Sequence, residues 1–205
     1  MHIYLYNNCL IEDRDESIRR CCRQYAKDTG AASLLKFIDT AAISHRVGGK
    51  PFFRDGEQIH FSLSHSGSIW GCAVDSDPVG FDIEDTARFE KGRRYKQPAQ
   101  ADSRWLKIAE RFFTDSEYEY VKAGGKKAFF ELWVRKEAFL KYKGGGLSMG
   151  LKSIELVSGG HLISELPGGW VREVIIGSGF MAAYCAAEKR EVERMVDYRK
   201  QGDKD

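Results

Sequence analysis

Two carboxylates, Asp82 and Glu84, stand at alternate positions in the apolar run Val79-Gly80-Phe81-Asp82-Ile83-Glu84. Side chains alternate across a strand, so both acids share one face while Phe81 and Ile83 take the other. Anions held side by side repel unless a cation or a cluster of donors lies between them. Mg²⁺ suits such a pair, because it takes one or two protein carboxylates and completes its shell with water and phosphate oxygens. The competing reading is a solvated edge-strand face with a lysine or arginine near each acid.

A third acid lies downstream in Trp133-Val134-Arg135-Lys136-Glu137-Ala138-Phe139-Leu140-Lys141. Glu137 and Lys141 are one helical turn apart, which is also the spacing of an ordinary surface ion pair worth ~0.2–0.5 kcal/mol. Their neighbours Trp133 and Phe139 make a purely solvated role less apt. A glutamate beside a metal stays ionised and serves as ligand or base, and a nearby lysine neutralises phosphate oxygens as a point charge. Upstream, Ser64-His65-Ser66-Gly67 offers hydroxyls, an imidazole and a flexible turn suited to a phosphate, or simply to a polar hairpin connection. Gly48-Gly49-Lys50-Pro51 fixes a cation on a turn whose proline restrains the backbone.

The elements needed to position these groups can be read from periodicity. The pattern predicts a strand over 2–7, helix over 16–36 with a break at Thr29-Gly30, and strands over 58–64 and 69–75 joined through Ser64-His65-Ser66-Gly67-Ser68. The acid-bearing strand follows over 79–84. The basic stretch from Arg88 to Arg104, with Lys91, Arg93, Arg94, Lys96 and Pro98, reads as a solvated loop. Thr114-Asp115-Ser116-Glu117 has the form of a capping box. Gly124-Gly125 is expected to break the helix it starts, before a stronger helix over 126–143 that ends at Gly144-Gly145-Gly146. On that helix Phe129, Leu132, Trp133, Lys136 and Leu140 share one face, and Val134, Glu137 and Lys141 follow another. Strands are expected around 153–157, 170–176 and 180–187, then a frayed charged tail.

With 205 residues and 42% hydrophobic content, the chain has material for one domain or two small ones. Thirty-two Lys and Arg against 30 Asp and Glu give a net charge of +2, which argues against nucleic acid as a partner. Cys9, Cys21, Cys22, Cys72 and Cys185 show no metal-binding or disulfide spacing, so reduced thiols in the cytoplasm are expected. Neither a secretion signal nor a membrane span is legible.

In series, these motifs resemble those of the 4′-phosphopantetheinyl transferases, in the longer branch that activates peptide and polyketide synthases. The resemblance is carried by Gly49-Lys50-Pro51, Phe61-Ser62-Leu63-Ser64-His65-Ser66, Val79 to Glu84, Arg111-Phe112-Phe113-Thr114-Asp115-Ser116-Glu117 and Trp133 to Lys141. It spans roughly residues 48–148 and fades upstream, where Arg14, Arg19, Arg20, Arg23 and Arg46 match no motif. It implies an α/β (α+β) fold of two similar half-domains, 1–80 and 81–205, about a pseudo-twofold, with the site in the cleft between them. It implies Mg²⁺ on Asp82, Glu84 and Glu137, coenzyme A as co-substrate, and an acyl, polyketide or peptidyl carrier protein as acceptor. Ser64 and His65 would contact coenzyme A phosphates, Lys50 would lie near the adenosine end, and Lys136 and Lys141 would neutralise the pyrophosphate. Glu137 would also be the base. A monomer is expected. The alternatives are an impaired relative that only binds a carrier protein or nucleotide, and a Mg²⁺-dependent phosphohydrolase.

Overall fold

The structure, a computed structural model, describes residues 1–8, 11–88, 103–145 and 150–200. Cys9, Gly146 and most of the basic stretch expected between Arg88 and Arg104 lie outside them. The described chain begins with strand β1 (His2–Asn7), helices α1 (Arg14–Asp28) and α2 (Leu34–Thr40), and a small hairpin, β2 (Ile43–His45) and β3 (Pro51–Phe53). Strands β4 (His60–Ser66), β5 (Ile69–Asp75) and β6 (Gly80–Asp85) follow. Helices α3 (Arg104–Phe112) and α4 (Asp115–Lys143) lead to β7 (Val157–Ser158), β8 (His161–Leu162), β9 (Glu165–Leu166), β10 (Gly169–Val174), β11 (Phe180–Ala186) and β12 (Arg194–Asp197).

The larger strands form two four-stranded sheets, ordered β12-β1-β5-β4 and β6-β11-β10-β9. The expected division at residue 80 separates β1–β5 from β6–β11, yet the last strand returns to the first sheet. The tail expected to fray instead holds β12 parallel to β1, with Ile3 opposite Met195 and Leu5 opposite Asp197. Its four residues gain a ladder from a strand far away in sequence, which a local pattern does not reveal.

Each sheet covers one face with helix. Helix α1 starts at Asp13, whose carboxylate accepts the Glu16 amide at 3.0 Å, and it buries Ile18, Cys21, Cys22, Tyr25 and Ala26. These pack on Tyr4, Tyr6, Trp70, Cys72 and Val74 of the first sheet. Helix α4 covers the second sheet. Its Thr114–Glu117 capping box forms as the sequence indicates, and Gly144 closes it at φ 75°. The break expected at Gly124-Gly125 is a kink at Gly125, φ 69°, after which the helix resumes. The segment expected as a strand over 153–157 is instead a 3₁₀ turn at Leu151–Ser153 and a two-residue strand. The sheet faces turned away from the helices share one cluster that includes Ile3, Leu5, Ala73, Phe81, Ile83, Ala182 and Tyr184.

Strands β4 and β6 are edge strands of different sheets and run side by side without a backbone ladder. Serine hydroxyls take the place of that ladder: Ser62 accepts the Phe81 amide at 2.9 Å, Ser64 that of Ile83 at 3.1 Å, and Ser66 that of Asp85 at 2.9 Å. Each otherwise unpaired amide is thereby satisfied.

Gly80 decides how closely α4 crosses β6. A Cβ at this position would lie 1.9 Å from the Ala138 carbonyl oxygen and 2.5 Å from the Tyr142 nitrogen. Because both obstacles are backbone, Gly80→Ala must push helix and strand apart, at a cost of about 3 kcal/mol or more. Urea unfolding of Gly80→Ala checks this, and a stability equal to wild type would contradict the close crossing.

Candidate active site

The acid face of β6 looks toward α4 across a cavity of about 490 Å³ that is lined by Asp82, Glu84, Glu137, Lys141, His65 and Arg88, among others. Strand alternation delivers Asp82 and Glu84 to this side, as the sequence indicates, and sends Phe81 and Ile83 into the cluster between the sheets. Helix α4 contributes Glu137 and Lys141 one turn apart.

Asp82 is 5% exposed, and its Oδ1 accepts from Lys141 Nζ at 2.7 Å and from the Ser64 hydroxyl at 2.8 Å. Its Oδ2 is buried without a hydrogen-bond partner. Lys141 also donates to the Leu63 carbonyl at 3.0 Å, so one ammonium spans both sheets. Glu84 pairs with Arg88 through Oε1 and accepts the Ser66 hydroxyl at 2.9 Å through Oε2. Arg88 in turn sits 5.8 Å from the Trp133 ring centroid. Glu137 is half-buried, and its carboxyl is pushed up to about 7. Burial is the largest cause, followed by the charge of Asp82, with Glu84 adding; Lys141 and Arg88 pull the other way.

Among the described residues no group of three His, Cys, Asp or Glu side chains is arranged as a ready-made metal cage. Lys141 and Arg88 neutralise the β6 acids instead. The donor set nonetheless fits a hard cation. It is made of carboxylate oxygens only, and the bare Asp82 Oδ2 is a buried acceptor that a positive charge would satisfy.

A second cavity of about 150 Å³ shares Arg14, Leu63 and Lys141 with the first. Arg14, Lys50 and Lys141 face it and no carboxylate lines it. Lys50 donates to the Val79 carbonyl at 2.6 Å. Its ammonium is pulled down to about 8, first by burial, then by Arg46, with Lys141 adding and the Cys185 thiol opposing. A mixed cavity of about 380 Å³ on the other side of Lys50 is lined by Phe52, Tyr142 and Arg46, among others. Arg14 is one of the five upstream arginines to which no motif assigns a role, and the structure places it at both cavities. The available hint was an arginine in the first turn of α1, where the helix dipole disfavours a cation.

Two expected site residues stand elsewhere or work differently. Lys136 is fully buried, 2.6 Å from Glu117, and donates to the Leu151 and Ile154 carbonyls. Its ammonium lies 5.3 Å from the Phe113 ring centroid and is not among the groups that line the cavity. Burial pushes its ammonium below the usual lysine range, and Glu117 opposes that shift. Ser64 lies within β4, which runs to Ser66, two residues past the expected end of the strand. Its hydroxyl carries a single proton, which it gives to Asp82 at 2.8 Å while accepting the Ile83 amide. His65, the neighbouring strand residue, points the opposite way and lies exposed at the cavity rim.

This arrangement has counterparts among known proteins. The sequence model of the 4′-phosphopantetheinyl transferase superfamily matches residues 78–189, which include β6, α4 and β11. The chain belongs to this superfamily. The transferase is 36% identical to 4′-phosphopantetheinyl transferase Sfp of Bacillus subtilis strain 168 over 196 residues, covering 84% of this chain and 81% of the relative. It is also 36% identical over 169 residues to a 4′-phosphopantetheinyl transferase of Bacillus subtilis, covering 77% and 69% of the two chains. A shorter match, 40% over 125 residues, links it to 4′-phosphopantetheinyl transferase psf-1 of Bacillus pumilus, covering 58% of this chain and 47% of the relative. The mixed α/β architecture agrees with that family.

Lys136 separates a structural role from a substrate-binding one. Lys136→Met leaves Glu117 buried and unpaired, which should cost about 3–5 kcal/mol in urea unfolding. The rate of the folded fraction should stay near wild type. A wild-type stability together with a raised KM for coenzyme A would instead place Lys136 on the substrate.

Proposed function

We propose that this transferase moves the 4′-phosphopantetheine group from coenzyme A to a serine hydroxyl of an acyl, polyketide or peptidyl carrier protein and releases adenosine 3′,5′-bisphosphate. The observation that carries the reading is the convergence of Asp82, Glu84, Glu137 and Lys141 on one cavity, next to a second whose lining is cationic. Diphosphate chemistry needs both, since charge must be neutralised where it builds up and the remaining phosphate must be held in place.

Asp82, Glu84 and Glu137 are the residues that would hold Mg²⁺, and the ion would supply neutralising charge to the diphosphate. In the transfer, the carrier serine oxygen bonds to the phosphorus that bears pantetheine, and the bond from that phosphorus to the oxygen of the adenosine-side phosphate breaks. Glu137 takes the serine proton. Lys141 and His65 lie where charge collects on the departing phosphate, and Arg14 and Lys50 hold the nucleotide's phosphate end. The roles stand on position in the cavity and on the chemistry of each group.

The same reading makes the protein a cytoplasmic monomer with no nucleic-acid partner. The thiols of Cys21, Cys22, Cys72 and Cys185 are free and buried. No described helix is long and apolar enough to cross a membrane.

Asp82→Ala should keep the fold and lose transfer by at least about a thousandfold, an effect of the size expected when a main charge-stabilising group is removed. Mass spectrometry of a small panel of carrier proteins incubated with coenzyme A and Mg²⁺ reads the outcome, and near-normal loading by Asp82→Ala would overturn the reading. Release of adenosine 3′,5′-bisphosphate without a carrier protein would indicate hydrolysis instead.

Lys50 gives coenzyme A binding a pH dependence. A phosphate beside Lys50 favours the charged ammonium and raises its pKa above the free value of about 8. Its contribution to affinity is therefore complete below pH 8 and declines as pH rises through the bound-state pKa. Calorimetric affinity for coenzyme A should fall between pH 8 and 10, and Lys50→Met should flatten that fall.

A further inference from the structure

The contact between the two sheets has a pattern finer than a row of hydrogen bonds. Phe81, Ile83 and Asp85 alternate with Gly80, Asp82 and Glu84 along β6, and their amides face β4. Ser64 takes the Ile83 amide and gives its own proton to Asp82 Oδ1 at 2.8 Å, the side chain one residue back. Ser66 repeats the motif one pleat along, taking the Asp85 amide and giving its proton to Glu84 Oε2 at 2.9 Å. Ser62 takes the Phe81 amide in the same way, but the residue one step back is Gly80, which has no acid to hold.

We propose that Ser64 and Ser66 are positioning residues, each using one hydroxyl to join the sheets and to fix an acid of the cavity, whereas Ser62 only joins the sheets. The inference rests on the reading of Asp82 and Glu84 as Mg²⁺ ligands. Rotation of a carboxylate is what a hard-cation site must suppress, and at Asp82 the donors on Oδ1 leave Oδ2 free for the ion. For Glu84 this matters most. Arg88 holds its Oε1 and Ser66 its Oε2, so without Ser66 the side chain would follow the guanidinium alone. The three serines therefore provide an internal comparison: equal contacts across the junction, unequal contacts with acids.

The test uses the full chain, with Mn²⁺ alone as the calorimetric probe and carrier-protein loading as a second measurement. Ser62→Ala and Ser66→Ala should lower Tm by similar amounts, since each removes one amide acceptor from the junction. Only Ser66→Ala should weaken Mn²⁺ about tenfold and raise the Mg²⁺ concentration for half-maximal loading by a similar factor, with KM for coenzyme A within twofold of wild type. Ser66→Thr keeps the hydroxyl and should restore both. If alanine unfolds the chain, Ser66→Cys replaces it, with a similar shape and a much weaker donor. Equal Mn²⁺ affinity in Ser66→Ala and Ser62→Ala, in a protein whose wild type loads carriers, overturns the positioning role and leaves the transferase reading standing. A wild type that neither binds Mn²⁺ nor loads any carrier overturns both.

Discussion

Two open sheet edges meet in this protein, and hydroxyl groups close the gap. Strands β4 and β6 each present backbone groups that a continuous sheet would pair, yet they belong to different sheets. Unpaired buried amides are costly, and Ser62, Ser64 and Ser66 satisfy three of them from the side. The same side chains reach the β6 acids beside the junction, since Ser64 donates to Asp82 and Ser66 to Glu84. The cavity with its charged lining opens at that junction.

The second constraint comes from α4. It can supply Glu137 and Lys141 only if it lies close against β6, and Gly80 is the point at which it does so. Its rotation is held from the far side by Lys136, whose ammonium is bound to Glu117 and to two carbonyls after the helix. Glu117 also accepts the Thr114 and Leu156 amides, so the same buried acid caps the start of α4 and ties down the chain that follows it. Lys136 and Glu137, adjacent in sequence, thus turn to opposite surroundings: one to a sealed ion pair that orients the helix, the other to the cavity.

The helices and most long strands were legible because their apolar spacing is strong. Strand β12 was not, since four residues gain their place only by pairing with β1. The tiny strands β2, β3, β8 and β9 are likewise products of local pairing rather than of pattern. At the site, Asp82 and Glu84 were legible as a same-face pair, and Glu137 with Lys141 as a one-turn pair. The setting of Lys136 was legible too. It falls on the apolar face with Phe129, Leu132 and Leu140, where a lysine survives only with a buried partner. Ser64 and His65, adjacent on a strand, point apart, one toward Asp82 and the other to the exposed rim of the same cavity.

The residues and their spacing set which groups can share a face: alternation fixed the pairing of Asp82 with Glu84, and the helical repeat fixed that of Glu137 with Lys141. These are short-range rules of backbone geometry, and they hold wherever the chain goes. Tertiary structure alone decided which hydroxyl spends its proton on which carboxylate, which lysine is sealed in the core, and that Arg14 arrives at the same cavity as Lys50. Those choices depend on contacts between elements far apart along the chain, whose geometry emerges only when the sheets and α4 have packed together.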